Sequence, residues 1–532
     1  MTPAEILQRG DTLKSLRRTF DWHWQEVADY CRPDREFTRT TAPGMKRMTR
    51  IYNTTPISAG QQLAAGLHGM LTSPALRWFV LKAEGLRDEQ WGGDDPAEAW
   101  FEAATEAMYA VFNSPRAGFN TAAHELYIDI AHFGNGVLFV GDAGKKGPIF
   151  RTVPLAECHI TTDGWGRVDG LWRLYKQTAR QIMATPGWAS KAPRPVREAA
   201  EKAPDTPFEV VHAVYPEPGD GYASCYVLRD GAVELESGMF REFPYVFARW
   251  ARRSGEDYGV GPAMDALPDI KLINKVEEVK LRGVQLAVAP PMAIPDDGFL
   301  GPLVTQPFGI NFYRAGDLGQ DRVFPLYQGG RVDIAMEEIA AIEARIERMF
   351  HVTWMNLPTR PNMTATEVLQ RRDEMLRLLG PMVARLQQEF LGPLIERAFA
   401  IMWRNGLLPP PPEELSGAGW HIEYLSPLAL SQKASDADAV LRWWSAVAGM
   451  AQVDPSVLDV ADAPQAARYL ADRYGAPQRV VRAPEEAQAL ADQRAEQQQA
   501  AMMVQGAQGV ARAAKDGAGA VQAMAPAEGM PA

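Results

Sequence analysis

PDIKLINKVEEVKLRGVQLAV (268–288) and DIAMEEIAAIEARIERMF (333–350) are the two stretches on which the fold of this chain turns. The first puts Ile270, Ile273, Val276, Val279, Val284 and Ala287 on roughly one helical face and stops before Pro290-Pro291. The second does the same with Ile334, Ile339, Ile342, Ile346 and Phe350, starting at the N-cap candidate Asp333. Between them lie some forty residues dense in Gly and Pro, with the alternating piece GINFYRAG (309–316), which read as a small β-rich insert carried on a helical pair. A pair this thin cannot hold a core alone and calls for identical neighbours.

Working outward, a loop VTWMNLPTRPN (352–362) leads to Thr364-Ala365-Thr366-Glu367. This is a capping box, in which Thr364 and Glu367 satisfy each other's free backbone N–H groups. Pro358 and Pro361 bar the loop from continuing either helix. The helix that follows has an apolar face of Met375, Leu379, Met382, Leu386, Phe390, Leu394, Phe399 and Met402. Two Gly-Pro pairs, Gly380-Pro381 and Gly392-Pro393, interrupt it, and each predicts a kink because proline lacks the N–H and crowds the carbonyl four residues back. Beyond Leu425 the chain is helical and Ala-rich, and from about Pro484 it becomes an Ala/Gln tract that is either a helix needing neighbours or disordered.

Upstream, periodicity predicts helices over 4–30, 55–71, 97–112 and 120–133, the last ending at Gly134. Short strands follow at VLFV (137–140), IFRTVP (149–154), WRLY (172–175), VVHAVYP, SCYVLRDG and FPYVFARW, and residues 186–208, with five prolines, read as a surface loop. The fold class is α+β, mainly helical.

With 532 residues at about 150 per domain, three to four structural units are expected. Hydrophobic residues at 46% and charged ones at 23% exclude wholesale disorder. The net charge of -11 disfavours tight DNA binding, since phosphate neutralisation needs a basic face, but it does not prevent DNA from sliding past. Cys31, Cys158 and Cys225 lack zinc or redox spacing and read as reduced, buried thiols. No signal peptide or membrane span is expected. GDAGKKGP (141–148) is not a phosphate loop, because Lys146 is followed by Gly147 rather than Ser or Thr, and reads as a hairpin turn. No HExxH, GxSxG or CxxC spacing occurs. His124 and His132, two helical turns apart, cannot share a metal. Glu337, Glu338, Glu343 and Glu347 read as the polar face of their helix, and Trp22/Trp24 and Trp443/Trp444 as core or subunit contacts. No catalytic, cofactor or metal residue is assigned.

The succession of helix, β-rich insert, returning helix, loop and long kinked helix resembles the portal protein (head-to-tail connector) family of short-tailed tailed bacteriophages. Three segments carry it in order: IYNTTPISAGQQLAAGLHGMLTSPALRWF (51–79), DYGVGPAMDALPDIKLIN (257–274), and NMTATEV (362–368) running on through both Gly-Pro pairs.

The resemblance implies a ring, usually of twelve subunits, at one capsid vertex. Its axial channel would pass double-stranded DNA during packaging and ejection, in a structural rather than enzymatic role and without cofactors. Residues 1–265 would be the wing, 266–289 and 331–352 the stem, 290–330 the clip, and 353–365 the channel loop. The kinked helix and remainder of the wing would occupy 366–425, the crown 426–485, and the Ala/Gln-rich tail 486–532. Arg360 and Asn362 would be the DNA-facing side chains of the loop. The implied partners are other copies of the chain, DNA, the terminase large subunit, a tail adaptor, and capsid and scaffolding proteins, with no membrane. The implied locations are the virion and, during assembly, the host cytoplasm. Two alternatives stay open on the residues alone. One is an oligomeric head-tail adaptor or scaffolding protein without a DNA channel; the other is an enzyme with a scattered site, which a perturbed acid/base pair in a closed pocket would reveal.

Overall fold

The computed structural model describes residues 1–39, 45, 51–83, 96–219, 221–295, 304–313, 324–325, 332–352, 378–412, 420–425, 427–451, 454–473, 481–482, 486–494 and 496–497. It is a mixed helix and strand fold in two compact units, one of residues 1–80, 104–409 and 424–426, the other of 81–103, 410–423 and 427–532.

The first unit opens with α1 (Pro3–Leu16), whose Thr2 and Glu5 form a capping box, and α2 (Arg18–Cys31). One helix is predicted over 4–30, but the chain divides at Arg17. That side chain is only 2% exposed, and its guanidinium donates to the carbonyls of Leu155, Ala156 and Cys158 while pairing with Asp21 at 2.9 Å. Next along the chain come α3 (Thr55–Leu71), then β1 (Phe79–Ala83) and α4 (Pro96–Phe112), each with residues in both units, and α5 (Phe119–Phe133). Helices α3 and α5 approach closely because Gly60 has no side chain: a Cβ there would lie 2.3 Å from the His132 ring.

Strands β2 (Asn135–Asp142) and β3 (Pro148–Thr152) form a hairpin over GDAGKKGP, with Asp142 Oδ1 accepting the Gly144 N–H at 2.8 Å. Then follow β4 (Cys158–Thr162) and β5 (Val168–Thr178). The predicted loop at 186–208 proves to be partly helical: α6 (Ala179–Ala184) is followed by α7 (Trp188–Lys191) and α8 (Arg194–Lys202). Pro193 and Pro195 sit at the start of α8, where a missing N–H costs nothing, and Trp188, Ala192 and Val196 pack with Ile182, Val210 and Leu228 in one buried cluster. Proline density therefore gives a wrong reading of this segment.

Strands β6 (Pro207–Glu217), β7 (Gly221–Leu228) and β8 (Val233–Phe240) complete an antiparallel five-stranded sheet in the order β4-β5-β6-β7-β8. Strand β9 (Tyr245–Arg249) joins a second sheet in the order β3-β2-β9. A short pair, β10 (Ala251–Arg252) and β11 (Gly259–Val260), and α9 (Pro262–Asp265) lead into α10 (Leu267–Val288). In the insert, β12 (Met292–Pro295) pairs parallel with β13 (Ile310–Tyr313) and antiparallel with β14 (Phe324–Pro325). Helix α11 (Val332–Met349) returns. Residues 378–386 are helical, Gln387–Leu391 form a π-helical turn, and α12 (Gly392–Arg404) continues the same run. All three cysteines are free and buried.

In the second unit, β15 (Trp420–Tyr424) pairs with β1, with Lys82 meeting Glu423 at 2.9 Å, and α13 (Pro427–Ala451) packs on α14 (Ala463–Arg473). Among the described residues no helix is long and apolar enough to cross a membrane.

Two stability predictions follow from this packing. Gly134 caps α5 at φ +70°, and a Cβ there would sit 2.3 Å from the Gly261 backbone nitrogen, whereas at Gly144 (φ +62°) a Cβ meets nothing. Gly144→Ala should therefore cost about 1–2 kcal/mol, the left-handed backbone penalty alone, and Gly134→Ala clearly more, as urea midpoints would measure.

Burial lowers the pKa of His212 to about 3 and that of His132 to about 4. His212 stacks on Tyr226 at 3.9 Å and hydrogen-bonds Tyr245 and Ser224, while His132 Nδ1–H donates to the Ile128 carbonyl. The unfolded chain takes up these protons near pH 6.5 and the folded chain does not. The contribution of these two histidines should be constant above that pH and fall on acidification towards pH 4, by about 1.4 kcal/mol per pH unit for each. Denaturation midpoints of wild type and His212→Gln between pH 7 and 4 should show a shallower slope in the variant.

Candidate functional site: a tethered helix pair

Helices α10 and α11 run antiparallel, since Asp269 at the start of one meets Arg345 at the end of the other at 3.0 Å. Near this base, Ile270 and Ile273 of α10 and Ile342, Ile346 and Phe350 around α11 are buried. Further along α10 the burial stops. Leu272 and Val279 are exposed on one side, so Val279 leaves the face on which its spacing placed it with Ile270, Ile273 and Val284; Leu281, Val284 and Val288 are exposed on nearly the opposite side, the side of Ile270 and Ile273, counting about 100° per residue.

Polar contacts fasten the base of the pair to the rest of the unit. Residues at and just before the start of α3 supply most of them: the Tyr52 N–H donates to Asn274 Oδ1 at 2.7 Å, while Asn53 Nδ2 and Thr55 Oγ1 both donate to Glu343 Oε1, at 3.0 and 3.1 Å. Lys271 reaches Glu26 of α2 at 2.7 Å. Of the four glutamates read as a polar face, Glu337 and Glu338 are exposed, whereas Glu343 is a tether. The helix pair ends at His351, which adopts φ +59°, a left-handed C-cap, and stacks on Trp250 with ring centres 5.8 Å apart. Burial lowers the His351 pKa.

Arg360, Asn362, Thr364 and Glu367 lie outside the described residues. Gly380 and Pro381 lie in the helical run 378–386, and Gly392 and Pro393 directly follow the π-helical turn. There the Gln387 carbonyl accepts from the Gly392 N–H and the Tyr424 hydroxyl. His124 meets His68 of α3 with ring centres 6.0 Å apart, and among the described residues no group of three or more His, Cys, Asp or Glu could hold a metal ion.

Sequence reasoning missed the arginines that hold the π-turn and α12 to the sheet. Arg249, with a side chain 3% exposed, donates from Nε and Nη2 to both oxygens of Glu389 at 2.9 and 2.8 Å, and from Nη1 and Nη2 to the carbonyls of Asp257 and Gly166. Arg397 donates to the carbonyls of Val140 and Glu242, and desolvation lowers its pKa to about 10. The only sequence signal was a charge closing the apolar run YVFAR.

Residues 3–481 match the sequence pattern of the bacteriophage head to tail connecting proteins, and the chain belongs to that family. It is 30% identical over 499 residues to the "Probable portal protein" of Bordetella phage BPP-1, covering 90% of this chain and 88% of that protein. It is 27% identical over 499 residues, with the same coverage, to the "Portal protein" of Salmonella phage epsilon15. Among solved structures, a chain of the virion of a native gene transfer agent particle overlaps with a TM-score of 0.35 and 12% identity, covering 74% of this chain and 86% of that one; so loose an overlap does not bear on function.

Glu389→Gln should destabilise the first unit by about 3–5 kcal/mol, because it strands a buried guanidinium. Replacing both partners, Arg249→Met with Glu389→Leu, should recover much of the loss, and denaturant midpoints for the two single variants and the double would close the cycle.

Proposed function

We propose that this chain is the portal subunit of a tailed phage, a structural protein that forms a ring at one capsid vertex. The observation that carries the reading is α10, whose exposed apolar residues lie on two nearly opposite sides of a helix fixed at its base. One such strip would suit a dimer. Two suit a head-to-tail contact, in which every copy has a neighbour on each side and the series closes into a ring. Family membership and the portal names of two relatives that match over most of their length support the same conclusion.

In this reading the ring has twelve copies, and its channel passes double-stranded DNA inward during packaging and outward during ejection. Residues 1–265 with 366–425 form the wing, 266–289 and 331–352 the stem, 290–330 the clip that docks terminase and later the tail adaptor, and 426–485 the crown, followed by the 486–532 tail. The loop 353–365 narrows the channel, with Arg360 and Asn362 towards DNA, and Thr364 and Glu367 restart the helix. Gly380-Pro381 and Gly392-Pro393 bend that helix around the ring. Capsid and scaffolding proteins surround it. The subunit has no catalytic role and needs no cofactor, and it passes through the host cytoplasm before residing in the virion.

Native mass spectrometry and negative-stain images of the purified protein should show rings with a central opening. Val279→Glu and Val284→Glu, each placing a charge on one of the two strips, should each reduce the rings to folded monomers; rings unaffected by either variant would refute the stem assignment. Shortening 356–362 should leave rings intact while lowering the yield of filled, infectious particles. Normal yields would remove the loop from contact with DNA.

A further inference from the structure

Helices α3 and α5 meet at two points. At the first, Gly60 makes room for the His132 ring; at the second, His68 of α3 faces His124 of α5. Gly60 and His68 are eight residues apart on one helix, as are His124 and His132 on the other, so the helices run antiparallel and the two contacts lie about 12 Å apart. The first contact is buried packing. The second brings together two half-exposed imidazoles that solvent can reach.

The His68 and His124 ring centres are 6.0 Å apart, with the planes inclined at 66°. A transition-metal ion sits about 2.0–2.1 Å from an imidazole nitrogen, and hence about 3.2 Å from the ring centre. Two rings on one ion then have centres about 5.2 Å apart at the tetrahedral angle and about 6.4 Å apart when the ligands are opposite. The observed spacing falls between these limits.

The surroundings prepare the same pair for coordination. His68 Nδ1 bonds Thr72 Oγ1 at 3.0 Å, and the Thr72 hydroxyl donates on to the Tyr127 hydroxyl at 3.2 Å, both partners being fully buried. Nδ1 is therefore the protonated nitrogen, and Nε2 keeps the lone pair that a metal needs. His124 makes no hydrogen bond among the described residues, which leaves its ring nitrogens available. Burial, with the charge of His124 as a smaller cause, lowers the pKa of His68 and so favours the neutral imidazole, the form that coordinates.

We propose that His68 and His124 bind one divalent ion of the nickel, copper and zinc group, with water completing its coordination. Nitrogen donors suit these ions and not magnesium or calcium, which take oxygen. The bound ion braces α3 against α5 two turns from the Gly60 contact. Thr55, at the opposite end of α3, bonds Glu343 of the tethered helix pair, so the brace stiffens the mount on which that pair stands.

The test is isothermal titration calorimetry of the full chain, stripped with a chelator and dialysed, against zinc, nickel, copper(II) and magnesium in turn. One ion per chain should bind, copper most tightly and magnesium not at all. His68→Asn and His124→Asn should each weaken binding about tenfold or more, whereas His421→Asn, at an exposed histidine of β15, should leave it unchanged. Zinc should raise the thermal midpoint of the wild type and leave those of the first two variants unmoved. Without recourse to any variant, the electron paramagnetic resonance spectrum of the copper form should show splitting from two imidazole nitrogens. Full-strength binding in either His68→Asn or His124→Asn, an equal loss in His421→Asn, magnesium bound as well as zinc, or a copper spectrum without two imidazole nitrogens would overturn the proposal. So would one ion per two chains, which would move the site to a contact between copies.

Discussion

A pair of antiparallel helices can bury the seam between them and little else. That geometric limit governs the rest of this molecule. Ile270, Ile273, Ile342, Ile346 and Phe350 use up the available seam near the base, and the apolar residues further along α10 are left to solvent in the single chain. A hairpin with so little of its own core must take its direction from elsewhere, and it does so through Asn274, Glu343 and Lys271, each bonded to a segment outside the pair. Polar tethers suit this task because hydrogen bonds have direction, whereas apolar packing alone would let the helices slide.

The other half of the problem is to hold a long, proline-interrupted helix against the sheets. Here the unit uses buried guanidinium groups rather than additional apolar area. A single arginine, Arg249, spans Glu389, Asp257 and Gly166, and thereby joins the π-turn, the loop after β10 and the turn before β5. Such a charge gains little in net terms over a well-packed apolar side chain, but it accepts only one arrangement of its partners. Arg17 does the same at the break between the first two helices.

Much of this was legible in the sequence, and what was not had a physical cause. The helix pair was visible because apolar residues recur along it at helical spacing, and the strands because alternation and turn residues bound them. Residues 186–208 were misread because proline is ambiguous: it stops a helix from within and starts one from its first turn, and only the burial of Trp188 and Val196 distinguishes the two. The break at Arg17 and the Arg249 network were not legible, because what holds them lies far along the chain: Arg17 reaches the Leu155 carbonyl, and Arg249 reaches the Gly166 carbonyl and the Glu389 carboxylate, and a carbonyl has no signature in sequence.

The π-turn at Gln387–Leu391 also constrains how this protein can change over evolutionary time. A π-turn holds one more residue than an α-turn, so it can be regarded as a one-residue insertion that the helix has absorbed. Deleting a single residue within it would restore regular helix while leaving the downstream residues close to their present facing, because the bulge has already taken up the extra residue. In the regular helix that follows, a deletion would instead rotate everything beyond it by about 100°, taking Arg397 from the Val140 carbonyl and turning the apolar face of α12 away from the sheet it covers. The turn is therefore a point at which this long helix can lose a residue without losing its register, and descendants of this chain should differ in length there more readily than within α12.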